Sequence, residues 1–330
     1  MPEDPLAARL ELVTAGAMGE EAVTVDGLRR LSGGASRETW SFDAVTPSGA
    51  RRPLILRRDP PGPRPVGMGI EAKVLSAAAG GGVPVPELLA TSEDPGVLGS
   101  PFIIMSRIEG ETIPRRILRD ESLADARARL AGQCGAILAR LHAIDPDGVP
   151  ELEAQDQVTQ YRDGLDLLGE AHPAFELAFR WLERNRPPTG REAIVHGDFR
   201  NGNLIIGSDG VRAVLDWELV HRGDPMEDLG WLCVKAWRFG QDLPVGGFGT
   251  YDELIDGYEA AGGARVDRAA LHWWEVLGSL KWGVMCIMQA SRHLTGAVRS
   301  VELAAIGRRV CENEWDLLGM LQGARRDGSP

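Results

Sequence analysis

The chain has 330 residues, of which 43% are hydrophobic, and its formal net charge at pH 7 is −12. This length and apolar content can bury one large core or two smaller ones, and the length favours about two domains. The negative charge argues against binding to nucleic acid, whose phosphates require a basic face, and against docking on an anionic membrane through a polybasic patch.

The cysteines and the N-terminus bear on compartment and processing. The four cysteines are widely spaced and form no Cys-x-x-Cys pair, so neither a zinc site nor a disulfide framework is predicted. The first residues lack the basic-then-apolar order of a signal peptide, and no apolar run reaches the length of a membrane span. We therefore expect a cytoplasmic protein without membrane association.

The first part of the chain predicts a short helix and then an antiparallel sheet. The helix is predicted over 6–17, and apolar segments between turn residues predict strands at 23–31, 38–45 and 53–58. The loop that joins the first two strands reads Ser32-Gly33-Gly34-Ala35-Ser36. Such a loop can lie over nucleotide phosphates because glycines let backbone N–H groups approach closely, although a tight turn is the alternative.

A Pro-rich connector at 60–65 precedes a helix over 68–79, which is followed by strands at 87–91 and 102–108. Past Gly110 the pattern becomes helical. We therefore place an N-terminal lobe at residues 1–108 and a larger, mainly helical lobe at 109–330.

Helices dominate the second lobe. Ser122 and Asp125 form a capping-box-like start, and apolar residues then recur at helical spacing until Asp145-Pro146. Further helices are predicted over 161–168, 174–184, 229–239, 251–261, 268–294 and 298–321. Trp273, Trp274 and Trp282 fall in one of these helices, and we favour a core position for them over an aromatic wall for a ligand.

The stretch from Ala193 to Leu232 carries the chemistry. It reads as a short strand, a polar loop, two more strands joined by a Gly-containing turn, an acid, and a helix that begins after Pro225. This order brings together two acids and an amide at strand ends, Asp198, Asn203 and Asp216. Phosphoryl transfer from a nucleotide needs a carboxylate that accepts a hydroxyl proton and oxygen ligands for magnesium, and these three side chains offer that set.

The spacing His196-x-Asp198-x-x-x-x-Asn203 matches the catalytic loop of a kinase, with Asp216 on the next strand where the metal-binding acid sits. A tail, Gly223-Asp224-Pro225-x-x-Asp228-Leu229, follows. With Leu31 to Arg37 and Val83-Pro84-Val85-Pro86 upstream, the chain resembles the aminoglycoside phosphotransferase and choline kinase superfamily. It is most similar to phosphotransferase domains related to those fused to acyl-CoA dehydrogenases.

The resemblance implies an α+β, two-lobed protein-kinase-like fold that uses Mg²⁺ and ATP or GTP. It implies that Asp198 is the catalytic base and that Asn203 and Asp216 hold magnesium. An arginine, Arg57, takes the place of the usual phosphate-pairing lysine, and alternation puts it on the face of Ile55 in preference to Arg58.

The resemblance also implies a partner for Arg57 and a purine-binding hinge. Glu71 on the following helix is the candidate partner, with a solvated acid as the alternative. Backbone amides of the hinge from Met105 through Arg107 to Ile108 are expected to contact the purine edge. His196 and Asp228 are expected to have a structural role, holding the backbone of the loop that carries Asp198. Asp224 can have either this structural role or a role in the chemistry. Glu218 has no assigned role.

Several readings remain open from the sequence. The leading one is a kinase of a small-molecule hydroxyl, as a monomer or homodimer, with the acceptor ranging from antibiotics to choline-like or hydroxyacyl metabolites. A nucleotide-binding pseudokinase is the alternative supported by Arg57. A metal-dependent hydrolase is a third hypothesis, but the chain lacks the histidine ligands expected for zinc.

Three acids share one predicted helix face and are expected to be solvated: Asp163, Asp166 and Glu170.

Overall fold

The computed structural model describes residues 5–31, 37–59, 67–188 and 190–326. The N-terminal lobe contains α1 (Pro5–Met18), β1 (Thr24–Arg30), β2 (Glu38–Val45), β3 (Arg51–Arg58), α2 (Met68–Gly80), β4 (Leu88–Ser92), α3 (Pro95–Leu98) and β5 (Phe102–Ser106). The C-terminal lobe begins with α4 (Pro114–Ile117), α5 (Ala124–Arg127), α6 (Leu130–His142), α7 (Gln157–Leu168) and α8 (Pro173–Arg184). It continues with β6 (Ala193–Val195), β7 (Leu204–Gly207), β8 (Gly210–Val214), β9 (His221–Gly223), α9 (Met226–Cys233), α10 (Tyr251–Ala260), α11 (Arg268–Leu294), α12 (Val301–Gly307) and α13 (Val310–Arg326).

The N-terminal lobe is an antiparallel sheet in the order β1-β2-β3-β5-β4. Side chains alternate across β3, so that Leu54 and Leu56 are fully buried in a core shared with Leu10 of α1. Ile55 and Arg57 therefore share the opposite face, which lines the cleft towards the second lobe. The predicted α+β fold, with one main helix beside this sheet, is confirmed. The exact division at residue 108 stays a prediction.

The long helix α11 organises the C-terminal lobe and contacts α7, α8, α9, α12 and α13. Its apolar residues pack in a core with α7 and α8 that includes Phe175, Phe179, Trp273 and Leu280. Trp273 is buried, and its indole N–H donates to the Leu182 carbonyl at 2.9 Å. The core position favoured for this tryptophan is confirmed.

The structure corrects three predicted helices. Asp120, not Ser122, accepts the capping hydrogen bond, and the first turns are separate from α6. Helix α9 ends at Cys233 because Val234 is extended, and a 3₁₀ turn over Lys235–Arg238 follows. The last predicted helix is divided into α12 and α13. Apolar periodicity alone did not reveal these breaks because buried residues on either side keep helical spacing.

The four small strands beside the helices pair in two ribbons. β6 pairs with β9, and β7 pairs with β8, both antiparallel. The loop from β6 to β7 and the end of β8 therefore face the cleft. In the described part of the chain, no helix is both long and apolar enough to cross a membrane.

Helices α6 and α10 cross so closely that glycine is required at the crossing. A Cβ on Gly135 would lie 2.2 Å from the Leu254 carbonyl oxygen, and one on Gly257 would lie 2.2 Å from the Gly132 oxygen. We expect Gly135→Ala to lower the free energy of unfolding by about 1–3 kcal/mol, because the added methyl meets backbone that cannot move away.

The matched control is Gly164→Ala in α7, where the nearest neighbour of an added Cβ is a Val284 methyl at 4.0 Å. This change is expected to raise stability by about 0.5–1 kcal/mol, since alanine is the better helix former. Urea unfolding of both variants measures the difference. Equal stability of the two variants would contradict the close crossing.

Candidate active site

A buried carboxylate on α9 holds the first turn of the loop between β6 and β7 (196–203), which is named the catalytic loop after the role predicted for it. Asp228 accepts hydrogen bonds from the backbone N–H groups of His196 and Gly197, at 2.8 and 2.9 Å. His142 Nε2 lies 3.2 Å from the same carboxylate. Burial by itself would raise the pKa of Asp228, but these partners outweigh it and lower the pKa. The predicted structural role of Asp228 is confirmed.

The ring of His196 joins the catalytic loop to the end of β8. Its Nδ1 accepts the Asp198 N–H at 3.1 Å, and its Nε2 lies 3.0 Å from the Leu215 carbonyl oxygen. Because a carbonyl can only accept, the ring proton belongs on Nε2. Burial lowers the pKa of His196 and favours the neutral ring. Both ring nitrogens are used by the backbone, so His196 has a structural role.

The carboxylate of Asp198 is held at both oxygens. Its Oδ1 accepts from Trp231 Nε1 at 2.8 Å and from Arg200 Nε at 2.9 Å. Its Oδ2 accepts from Asn203 Nδ2 at 2.6 Å. The structure therefore brings Asp198 and Asn203 into direct contact. Trp231 and Arg200 were not predicted as site residues, although Trp231 lies three residues after Asp228 and hence about one helical turn further along α9.

Asp216 lies two residues after the end of β8 in a left-handed backbone conformation, with a φ of 68°. This conformation is uncommon for residues other than glycine, and aspartate is among those that tolerate it. The Leu215 N–H donates to the Asn203 carbonyl at 2.8 Å, so the strand end and the catalytic loop are joined. Asp216 and Asn203 both line a cleft of about 500 Å³ between the lobes.

Glu71 lies at the base of this cleft between two arginines. Its carboxylate is fully buried and pairs with Arg57 through Oε1 and with Arg37 through Oε2. Arg57 also reaches Asp216 Oδ1 at 3.0 Å, whereas Arg58 turns away to Glu38 at 2.6 Å. The expected contact between Arg57 and Glu71 is therefore present.

Arg37 was not predicted as a site residue. Its Nε also donates to Asp59 at 2.9 Å, and burial together with the nearby charge of Arg57 lowers its pKa. The loop residues Ser32, Gly33, Gly34 and Ser36 lie outside the described residues, so their predicted contact with the nucleotide stays a prediction.

The expected hinge uses most of its backbone donors inside the sheet. The Ser106 N–H donates to the Glu87 carbonyl at 2.9 Å, and the Arg107 N–H donates to the Pro53 carbonyl at 3.0 Å. The Arg107 side chain donates to Ser41 at 2.9 Å and pairs with Asp43 at 3.0 Å. Met105 and Ile108 line the cleft. A purine contact through the Arg107 N–H would require that sheet hydrogen bond to break.

The family model described as "Phosphotransferase enzyme family" matches residues 27–274. The chain belongs to this family. The match includes the cleft-lining strands, the catalytic loop and the tail that carries Asp228, so the predicted superfamily is confirmed.

The chain is similar to proteins of two kinds. It is 32% identical to acyl-CoA dehydrogenase family member 11 of Gallus gallus over 88% of the chain, which spans 40% of that longer protein. It is 32% identical to viomycin phosphotransferase of Streptomyces vinaceus over 54% of the chain and 66% of that protein. The predicted similarity to domains fused to acyl-CoA dehydrogenases is confirmed.

A solved structure agrees over most of the fold. A Ralstonia eutropha protein assigned to the aminoglycoside phosphotransferases superimposes with a TM-score of 0.69 and 25% identity, covering 89% of this chain and 92% of that one. The two-lobed architecture is thus shared along nearly the whole chain.

The oxygen ligands available in the cleft fit magnesium. The amide nitrogen of Asn203 donates to the Asp198 backbone and carboxylate oxygens, at 3.0 and 2.6 Å, so its amide oxygen is left for a cation. Asp216 adds a carboxylate that is 33% exposed. Mg²⁺ commonly takes one or two protein oxygens together with phosphates and water. Among the described residues, no group of three His, Cys, Asp or Glu side chains forms a metal cage.

A second cavity of about 240 Å³ has walls from α7, α11 and the segment between β8 and β9. Its rim is rich in polar side chains: Glu151, Glu153, Gln155, Gln157, Gln160 and Glu218. Tyr161 and Lys281, both more than nine-tenths buried, also line it. The Tyr161 hydroxyl forms no hydrogen bond within the described residues. The acids Asp163, Asp166 and Glu170 are exposed, as expected of a solvated face.

Proposed function

We propose that the protein is a magnesium-dependent kinase that transfers the γ-phosphate of ATP or GTP to a hydroxyl of a small molecule. The observation that carries this proposal is the contact of Asp198 with Asn203, which lines the cleft together with Asp216 and Arg57. This is the combination of base, metal ligands and phosphate-binding cation that phosphoryl transfer requires.

The chain's own residues would divide the work as follows. Asp198 orients the acceptor hydroxyl and takes its proton as the oxygen–phosphorus bond forms and the bond to the β–γ bridging oxygen breaks. Trp231 and Arg200 hold Oδ1, so the rotation of the carboxylate is restricted. Asn203 and Asp216 would hold magnesium, which would supply positive charge to neutralise the phosphates.

Arginine at position 57 supports nucleotide binding. Arg57 makes the contact with Glu71 that is expected of the usual lysine, and a guanidinium can hold phosphate at two points. Arg37 places a second guanidinium on the same carboxylate. A pseudokinase remains the competing function because the usual lysine is replaced. Cytoplasmic localisation and a monomeric or homodimeric state stay predictions.

The second cavity is our candidate for the acceptor. It is lined by Lys281, whose ammonium contacts the catalytic loop, and by Tyr161, whose hydroxyl has no hydrogen-bond partner among the residues that the structure describes. Its volume of about 240 Å³ is below the usual range of about 300–1,000 Å³ for ligand pockets. A compact polar metabolite with several hydroxyl or amine groups suits this lining better than a long acyl chain.

The test is a coupled assay of nucleotide consumption with magnesium and a panel of hydroxylated metabolites and antibiotics. Turnover that requires nucleotide, magnesium and an acceptor supports the proposal. Tight nucleotide binding without turnover favours the pseudokinase. Turnover without nucleotide favours a metal-dependent hydrolase.

Asp216→Asn is expected to weaken binding of the magnesium–nucleotide complex at least tenfold, or about 1.4 kcal/mol. The charge that attracts the cation is lost, while binding of the nucleotide in EDTA should not weaken because Arg57 is released from its pair with Asp216. Calorimetric titration with and without magnesium separates the two effects. Asp256→Asn, at an exposed position of α10, is the control. An equal loss of nucleotide affinity in EDTA would contradict a metal-ligand role for Asp216.

A further inference from the structure

Lys281 is a buried lysine in the middle of α11. It is 3% exposed, whereas the side chains of the other two lysines, Lys73 and Lys235, are 57% and 60% exposed. Its helix neighbours Leu277, Leu280 and Val284 belong to the apolar core, so an uncharged side chain would fit this position. Burying an ammonium is unfavourable unless it is paired and hydrogen-bonded. The contacts of Lys281 therefore indicate what it does.

Lys281 contacts both of the elements that carry the active site. Its Nζ donates to the Gly197 carbonyl in the catalytic loop at 2.9 Å and to Glu227 Oε1 on α9 at 3.1 Å. It also lies 4.6 Å from the centre of the Trp231 ring, within range of a cation–π interaction. Burial by itself would lower the pKa of Lys281, but Tyr161 and Glu227 outweigh it and raise the pKa, so the ammonium stays charged.

Two of these contacts lead directly to Asp198. Gly197 is the preceding residue, and its left-handed φ of 77° belongs to a tight turn in which an added Cβ would lie 2.4 Å from the Leu219 carbonyl oxygen. Trp231 donates its indole N–H to Asp198 Oδ1 at 2.8 Å. The Lys281 ammonium therefore contacts both the peptide group that precedes Asp198 and the Trp231 ring that donates to the Asp198 carboxylate.

The buried carboxylate of Glu227 balances the charge of Lys281 and also contacts His221. Glu227 is 3% exposed, and its Oε2 lies 3.1 Å from His221 Nε2, while its Oε1 faces Lys281. Burial by itself would raise the pKa of Glu227, but His221 and Lys281 lower it. Removing Lys281 alone therefore leaves a buried carboxylate with one partner fewer, which costs stability for reasons unrelated to catalysis.

We propose that Lys281 is a positioning residue that holds the Gly197 peptide and the Trp231 ring so that Asp198 faces the acceptor hydroxyl. This role rests on the proposed kinase function, since it is Asp198 that Lys281 orients. Lys281 acts through these two groups and does not itself take part in the transfer of the phosphate.

The test compares Lys281→Met with Lys281→Met/Glu227→Gln, which removes both charges. We expect kcat to fall about 10–100-fold in both variants with the nucleotide KM changed less than about twofold, because displacing a catalytic group by about 1 Å costs rate on this scale. Thermal stability should drop in the single variant and recover in the double variant. Recovery of kcat together with stability would show that Lys281 is only structural and would overturn the proposal.

Hydrogen exchange provides a readout that does not depend on turnover. Backbone amides of residues 197–203 should exchange faster in the double variant, while those of the N-terminal sheet are unchanged. Lys235→Met, which removes an exposed lysine, should change neither kcat nor exchange. If the parent protein binds nucleotide but shows no turnover, the kinase function fails, and exchange alone decides whether Lys281 orders the loop; unchanged exchange overturns that role.

Discussion

Replacing Asp198 by alanine is expected to lower kcat by about 10²–10⁴-fold, the range that a positioned general base contributes. The variant loses the group that orients the acceptor hydroxyl and accepts its proton. The nucleotide Kd should change less than about fivefold, because Asp216 and Arg57 remain in the cleft. Initial rates at saturating nucleotide, with Kd from calorimetry, measure both quantities.

The matched control for this experiment is Asp163→Ala, which removes an exposed carboxylate from α7. It should leave kcat and Kd unchanged. If Asp198→Ala keeps kcat within tenfold of the parent protein, Asp198 is not the base. If the substitution abolishes nucleotide binding as well, the Asp198 carboxylate supports the metal site through Asn203, from whose Nδ2 it accepts a hydrogen bond at 2.6 Å.

Asp228→Asn is expected to lower the free energy of unfolding by about 2–4 kcal/mol and to impair turnover. The carboxylate receives the N–H groups of His196 and Gly197 on separate oxygens, at 2.8 and 2.9 Å. An amide can accept only through its oxygen, so its NH₂ group would face one of these buried donors. Chemical unfolding, monitored by fluorescence, measures the loss.

The pH dependence provides a second check on Asp228. Because its pKa is lowered in the folded protein, its charge stabilises the fold above the ordinary aspartate pKa, and this contribution is lost as the pH falls through the folded-state value. The stability gap between parent and variant should be fully present above about pH 4 and shrink below it. Asp166→Asn on an exposed face should show no gap at any pH.

The local sequence pattern was sufficient to predict the structure wherever neighbouring residues determine it. Alternation along β3 placed Arg57 with Ile55 on the cleft face, because successive side chains of a strand point to opposite sides. The bounds of α11, Arg268–Leu294, agree with the predicted helix because its apolar periodicity is uninterrupted. The pattern did not predict the end of α9 or the start of α6, because the helix is interrupted there while the apolar residues keep helical spacing.

The amino-acid sequence by itself determined the family, the two-lobed fold and the spacing of Asp198, Asn203 and Asp216, because these depend on short segments with regular periods and a compact motif. Only the tertiary structure brought Lys281 to the Gly197 carbonyl, 84 residues away, and Arg57 to Asp216, 159 residues away. No local pattern encodes such contacts, since they depend on how separate elements pack. The cavity proposed for the acceptor has the same origin: its walls come from α7, α11 and the β8–β9 segment, and none of them carries a motif of its own.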